Sequence, residues 1–510
     1  MKPEPRGSET ATGPKGRNGR TMRLSRLIRV LADATLEGPA ATEITALAYD
    51  SRAVRPGCLF CALPGAKTDG GQYVEEAVRR GAVAVLHEQS LRPPRGLAAV
   101  RVPNARTAMA DLAAEFYGHP SHKLPVIGVT GTNGKTTTVF MIRDILLAAG
   151  RVPGVIGTIH YEFGGRRIAA LRTTPEAPDL QHMFADALQA GVQTLAMEVS
   201  SQGLVAERLR GTRFAAAVFT NLTVDHLDFH KTMEAYFQAK KRLFDELAGQ
   251  SADAPAVVNL DDPYGRRLAA DPGLAGRLIT CGTDPAAIVR AGDLRLAETG
   301  SAFQVTAPWG EAQVALRLPG RFNVLNALAA MAVCGALGVP PAAMAAALAH
   351  MDPVPGRLEP VPDPKGRHLL VDYAHTEDAL RNVLQSLRET MPGRLICVFG
   401  CGGDRDRSKR PRMGAAVSAA ADYAIVTSDN PRSEDPQAII ADILEGMDRT
   451  RPHLVEPDRA MAIRAALQAA QPGDTVLVAG KGHESYQEIA GRMTPFDDRQ
   501  VLRAALAEGL

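Results

Sequence analysis

Little in this sequence stands in excess. The 510 residues carry 58 lysines and arginines against 56 aspartates and glutamates, a formal net charge of +2. No basic field therefore marks a nucleic-acid partner. No apolar run is long enough to span a bilayer. Cysteine is scarce, with six in the whole chain, which does not suggest a disulfide framework. Cys58 and Cys61 make a CxxC pair, but inside the strand-like run "CLFCAL" and with no second ligand pair nearby. A zinc site is not expected there. These absences fit a reducing cytoplasm. What is present is ordinary: 45% hydrophobic and 22% charged residues, as in soluble globular proteins. The length predicts three domains at about 150 residues each.

Pro, Gly and charge crowd the first 22 residues. They lack the apolar core of a signal peptide and read as a disordered tail. Met22 precedes the first amphipathic pattern, "RLSRLIRVL", and is a candidate for the true start. From there to about residue 122, short strands and helices alternate, closing on the linker "HPSHKLP". A central domain is expected over 123–354. It opens with "VIGVTGTNGKTTTVFMIRDILLAAG" and continues through the apolar runs "TLAMEVSS", "AAAVFTNLT" and "APAVVNLDD". A proline-dense break, "MDPVPGRLEPVPDPKGR", introduces a third domain over 355–510. There "HLLVDYAH", "LICVFGCGGDRD", "YAIVTSDNPR" and "TVLVAGKGHE" are apolar strands ending in polar residues. The alternation predicts an α/β protein with parallel sheets. Open α/β sheets bind ligands at the carboxyl ends of their strands, so the four polar tips are expected to line one crevice.

"GVTGTNGKTTT" is the most specific local signal. Small residues let backbone N–H groups close around phosphate; Lys135 would reach the β- and γ-phosphates and the Thr136 hydroxyl a Mg²⁺ ion. Gly128, Gly131 and Gly134 space the loop, and Val129 replaces the first glycine of the usual phosphate-loop pattern. The alternative is a plain glycine-rich strand-to-helix turn. In "MEAYFQAKKRLFDEL", at ~100° per residue, Lys240 falls at the centre of an apolar helical stripe made by Met233, Tyr236, Phe237, Leu243, Phe244 and Leu247. Such a lysine either snorkels to solvent or is desolvated, partly neutral and able to react with CO₂ to give a carbamate. Just upstream, Glu198, Asn221, Asp225 and His226 are strand-end groups suited to a metal–ATP site.

Taken in order, "GVTGTNGKTTT", "AMEVSSQGL", "FTNLTVDHLDFH", "RFNVLNALAA", "VDYAHTEDAL", "FGCGGDRDRSKRP", "SDNPRSEDP" and "VAGKGHESYQ" resemble the Mur ligases, and among them those that add the third residue of the peptidoglycan stem peptide. The resemblance implies a small N-terminal α/β domain for the uridine nucleotide, a central phosphate-loop domain for ATP and a C-terminal Rossmann-like domain for the incoming amino acid. It implies an ATP contact set of Gly131, Thr132, Asn133, Gly134, Lys135, Thr136 and Thr137 with Asn323, Arg357 and Asp372. Ser51 matches the uridine-binding serine. Thr173, Thr174, Ser200 and Arg208 match residues that hold UDP-N-acetylmuramoyl-L-alanyl-D-glutamate. Lys240 matches a carbamylated lysine (N6-carboxylysine), and Thr136, Glu198 and His226 complete the magnesium set. Ala206 stands where some members have Gln, and Lys67 and Thr68 are not typical of the uridine loop.

The resemblance further implies that "DNPR", Asp429 to Arg432, marks an enzyme using meso-diaminopimelate rather than L-lysine. That substrate carries a second carboxylate on its far end, which a guanidinium grips with two parallel hydrogen bonds. Arg432 and Arg405 are the candidates. Glu484 would accept from the distal ammonium, and Gly480 allows close backbone approach. The implied reaction is ATP-dependent amide formation through an acyl phosphate, by a cytoplasmic monomer acting on small molecules, with no nucleic-acid or membrane partner. The competing readings are a lysine-adding relative, a folylpolyglutamate-synthase-like ligase and a regulatory phosphate-loop ATPase.

Overall fold

The computed structural model describes residues 20–65, 69–88, 94, 96–251 and 253–510. Lys67, Thr68 and the first 19 residues lie outside that set. Met22, assigned to the tail from sequence, pairs with Ile44 in a two-residue ladder. The chain forms two compact units. One takes the residues up to 125 together with 174–193 and 202–213; the other takes 126–173, 194–201 and 214–510.

The first unit is built on a five-stranded sheet in the order Thr35–Glu37, Ala98–Arg101, Ala82–His87, Cys58–Cys61, Ala46–Ala48. Only the first pairing is antiparallel. Cys58 and Cys61 are buried in their strand, and all six cysteines are free thiols. The helix Ala105–Tyr117 starts where the Asn104 side chain accepts from the Thr107 amide and stops at Gly118 in the left-handed conformation. It packs on the helix Ala177–Gln189, which the chain order alone would have assigned to the centre.

The second unit holds two large sheets and a two-stranded ribbon, Tyr486–Ile489 with Arg492–Pro495. Seven parallel strands run from Pro153–Ile156 through Thr194–Glu198, Val126–Thr130, Phe214–Phe219, Ala256–Asn259 and Leu278–Gly282 to Val289–Ala297. The buried helices Lys135–Ala148 and Arg321–Ala336 share one core with them. Antiparallel strands extend both edges: His160–Phe163 and Arg166–Ala169 on one, Gly300–Ala307 and Gly310–Leu316 on the other. The alternation of the sequence predicts only the parallel part. The second sheet orders Glu359–Val361, His368–Asp372, Thr475–Ala479, Leu395–Phe399, Tyr423–Val426 and His453–Val455, parallel from the second strand onward. The four strands expected to share a crevice are thus adjacent and point the same way. Among the described residues no helix is long and apolar enough to cross a membrane.

Candidate active site

The strand Val126–Thr130 is buried throughout and releases the chain into the glycine loop. Gly131 has φ +152°, and a Cβ there would lie 1.8 Å from Thr220 Oγ1, so only glycine fits. The loop is braced from the neighbouring strand's end. Thr132 N donates to Asn221 O (2.9 Å), Asn133 N to Asn221 Oδ1 (2.9 Å), and Thr220 Oγ1 to Asn133 O (2.6 Å). Asn221, read from sequence as part of the metal–ATP set, is a brace of the loop. Gly134 is left-handed and leads into the helix that Lys135 begins, with Thr136 and Thr137 buried in its first turn. A helix N-terminus of this kind favours phosphate.

Two lysines converge on this loop. Lys135 Nζ donates to the carbonyls of Gly131 (2.9 Å) and Thr132 (2.8 Å). Lys240 is 1% exposed, and its Nζ donates to the same Gly131 carbonyl at 2.8 Å. It does not snorkel: the helix Met233–Gln250 turns it inward, 4.5 Å above the Tyr236 ring. Burial, and then the charge of Lys135, push the Lys240 amine far below the ordinary lysine range. Burial lowers Lys135 as well, with Glu198 opposing. Lys240 is therefore the amine that more readily loses its proton and becomes nucleophilic.

Glu198 ends the strand beside the loop, in register with Val129. It accepts from Thr158 N (2.8 Å) and Thr158 Oγ1 (3.0 Å). His226 sits at φ +54° with its Nε2 3.4 Å from Asp225. Burial lowers its pKa and Asp225 opposes. Two residues the sequence reading did not assign to the site complete it. Tyr236 bonds Thr132 Oγ1 at 3.2 Å and stacks on His230 at 4.9 Å; His230 bonds Ser201 Oγ at 2.8 Å and is pushed down to about 4, chiefly by burial. The spacing of four puts Tyr236 and Lys240 on one helix face, but an aromatic on an apolar stripe reads as core.

The second sheet reaches the same loop. Arg357 Nη2 donates to Thr136 Oγ1 at 3.0 Å, and its guanidinium lies 4.8 Å over the Tyr373 ring. Asp372 accepts from Leu358 N (2.7 Å) and Ala374 N (2.8 Å), and burial raises its pKa. Asn323 is buried and donates to Pro319 O at 2.8 Å; its Oδ1 accepts from Asn326 (3.4 Å), which in turn accepts from Thr138 Oγ1 (3.4 Å). Asn323 thereby connects to the helix of the phosphate loop.

At the strand tips, "DNPR" meets "GKGHE". Gly480, at φ +115°, would place a Cβ 2.5 Å from Asp429 Oδ2. Asn430 Nδ2 donates to Glu484 Oε2 at 2.8 Å. The Pro431 carbonyl leaves room only for glycine at Gly403, where a Cβ would lie 1.9 Å away. Arg432 takes the left-handed conformation, φ +55°, and its Nη1 donates to Gly403 O at 2.7 Å. Its Nε lies 3.6 Å from the Glu488 carboxylate. Arg405 is exposed and close by: a Cβ on Gly402 would sit 2.9 Å from Arg432 Nη1 and 3.8 Å from Arg405 Cγ.

Family models match along the chain: the Mur ligase family catalytic domain over residues 43–117, the Mur ligase middle domain over 129–334, and the Mur ligase glutamate ligase domain over 356–482. The UDP-N-acetylmuramoyl-L-alanyl-D-glutamate–2,6-diaminopimelate ligase of Geobacter metallireducens is 46% identical over 506 residues, covering 96% of this chain and 99% of its own. The chain belongs to the Mur ligase family. The ligase of the same name from Solibacter usitatus is 48% identical over 472 residues, 92% of this chain and 94% of its own. A solved structure of such a ligase is similar with a TM-score of 0.67 at 34% identity, covering 96% of this chain and 99% of its own.

The remaining candidates of this Mur ligase fall in separate places. In the first unit Ser51 Oγ donates to Glu76 at 2.9 Å, and Arg208 donates to the Thr174 carbonyl (3.1 Å) while pairing with Glu176 (3.0 Å). In the second, Thr173 Oγ1 lies 3.0 Å from Thr158 Oγ1, hence next to Glu198, and Ser200 follows two residues after Glu198. Among the described residues no three His, Cys, Asp or Glu side chains group into a metal site. Magnesium takes few protein ligands and keeps water and substrate phosphate oxygens. The Glu198 carboxylate and Thr136 hydroxyl, oxygens beside the glycine loop, fit that demand.

Proposed function

We propose that this Mur ligase joins meso-2,6-diaminopimelate to UDP-N-acetylmuramoyl-L-alanyl-D-glutamate, converting ATP to ADP and phosphate, in the cytoplasm. The γ-carboxylate of the D-glutamyl residue attacks the ATP γ-phosphorus, the bond to the bridging oxygen breaks, and ADP leaves an acyl phosphate. The diaminopimelate amine then attacks the acyl carbon. Phosphate departs, and the amine's surplus proton passes to solvent. Lys135 and the amides of the first turn of its helix face the charge that develops on the transferring phosphoryl group. Magnesium, when bound, neutralises phosphate charge; Thr136, Glu198, His226 and a carbamylated Lys240 would hold it. The depressed basicity of Lys240 supports the carbamate, since only the neutral amine reacts with CO₂. The contact of Arg357 with Thr136 supports a reaction in which the amino-acid sheet and the phosphate loop act together.

One observation carries the choice of amino acid: Arg432, with Arg405 beside it at Gly402, follows closely on Asn430, whose side-chain amide holds Glu484 from the neighbouring strand's tip. Two guanidinium groups suit a substrate whose distal end bears a carboxylate as well as an ammonium; L-lysine would leave them unmatched. The test is phosphate release from ATP with each substrate omitted in turn. Release should require the UDP-dipeptide and meso-diaminopimelate together. Release with neither present would identify an ATPase, and equal rates with L-lysine would identify the lysine-adding reading.

A further inference from the structure

Lys481 has no role in the reaction above, yet its side chain is 0% exposed. Its Nζ donates to Asn430 Oδ1 and to Glu484 Oε2, both at 3.1 Å, and lies 5.4 Å over the Tyr486 ring. A buried ammonium is costly unless its hydrogen bonds are satisfied, so its partners are held tightly. The Glu488 amide also donates to Asn430 Oδ1, at 3.0 Å. With two donors on that oxygen, the Asn430 amide can turn only one way, and its Nδ2 meets Glu484 Oε2 at 2.8 Å. Both donors to Glu484 thus land on Oε2. Its Oε1 accepts from no described residue, and the side chain stays 18% exposed.

We propose that Lys481 is a positioning residue for the amino-acid substrate: its ammonium saturates one oxygen of Glu484, locks Asn430, and leaves the other Glu484 oxygen aimed to receive the substrate's distal ammonium. This rests on the function proposed above. Lys481 also favours the charged form of Glu484. Burial raises the Glu484 pKa, the Lys481 charge lowers it and Asp429 raises it; Arg459, Tyr373 and Tyr486 are the other ionisable groups that face it. Without Lys481 the carboxyl holds its proton to higher pH and attracts a cation less.

The experiment measures KM for meso-diaminopimelate and for ATP, and kcat/KM against pH, in the full chain and in Lys481→Met. The KM for meso-diaminopimelate should rise about tenfold, ~1.4 kcal/mol, while the KM for ATP stays within about twofold and the acid limb moves to higher pH. Lys481→Gln keeps a donor on Glu484 without the charge. It serves where the methionine variant fails to fold, and its acid limb should move the same way. A folded variant of either kind with an unchanged KM and acid limb overturns the proposal. Failure of the functional reading appears separately, as a wild-type enzyme indifferent to meso-diaminopimelate.

Discussion

Replacing Arg432 with alanine tests the amino-acid site most directly. The guanidinium is already shaped by the protein: one nitrogen donates to Gly403 O at 2.7 Å, Nε lies 3.6 Å from Glu488, and the side chain is 21% exposed. A substrate carboxylate bound there gains charge-assisted hydrogen bonds in a partly desolvated setting. Losing them costs about 2–3 kcal/mol, the lower part of the range for buried charge pairs because solvent still reaches the group. That is roughly 30- to 150-fold in kcat/KM for meso-diaminopimelate. L-lysine has no carboxylate to lose, so its kcat/KM should hold or rise slightly once no guanidinium is left unmatched. The ratio between the two amino acids therefore narrows from one side. Arg432→Lys should recover little, because an ammonium cannot make a two-pronged contact. The left-handed backbone at Arg432 penalises alanine too, but equally for both substrates. The assay is kcat/KM for each amino acid in wild type and variant. An unchanged ratio would refute the assignment of Arg432 as selector.

Lys240→Ala should remove most activity, with partial recovery in added acetate if a carbamate is the working form; ¹³C-bicarbonate should label the wild type at a lysine and leave Lys240→Ala unlabelled, and full activity in the variant would end the idea. The second unit should also lose stability in mild acid. Burial pushes His375 down to about 4 and His483 down to about 3. Both are neutral when folded and protonate near pH 6.5 when unfolded. Their contribution is complete above that pH and falls as pH drops toward those folded values, by about 1–2 kcal/mol each at pH 5. Denaturant midpoints at pH 7 and pH 5 measure the loss, and His483→Leu should soften it; midpoints that match at the two pH values would contradict the assignment.

Local patterns carried much of this. Lys240 was legible because a charged residue on an apolar stripe breaks the helical period, and the glycine loop because its spacing is tied to one strand and one helix. Tyr236 was not, since an aromatic on the same stripe reads as core; only its contacts with Thr132, His230 and Lys240 give it a second role. Lys481 sits in the polar turn "GKGHE", where nothing local marks a lysine as buried. Thr158 lies far in sequence from Glu198, and nothing local joins them. The strands Val289–Ala297, Gly300–Ala307 and Gly310–Leu316 form an antiparallel meander that interrupts the parallel alternation. The attachment of 174–193 and 202–213 to the first unit is likewise non-local.

The close approach of Gly403 to the Pro431 carbonyl, and of Gly480 to Asp429, bears on how this pocket can change over time. Its floor is main chain pressed against neighbouring loops, and any side chain added there collides. Substitution is open at the rim, at Arg405, Arg432 and Glu484, which solvent still reaches. A lineage drifting toward another amino acid must therefore trade charges at a few exposed corners while the floor stays fixed. Relatives of different preference should differ at those corners and keep the same glycines.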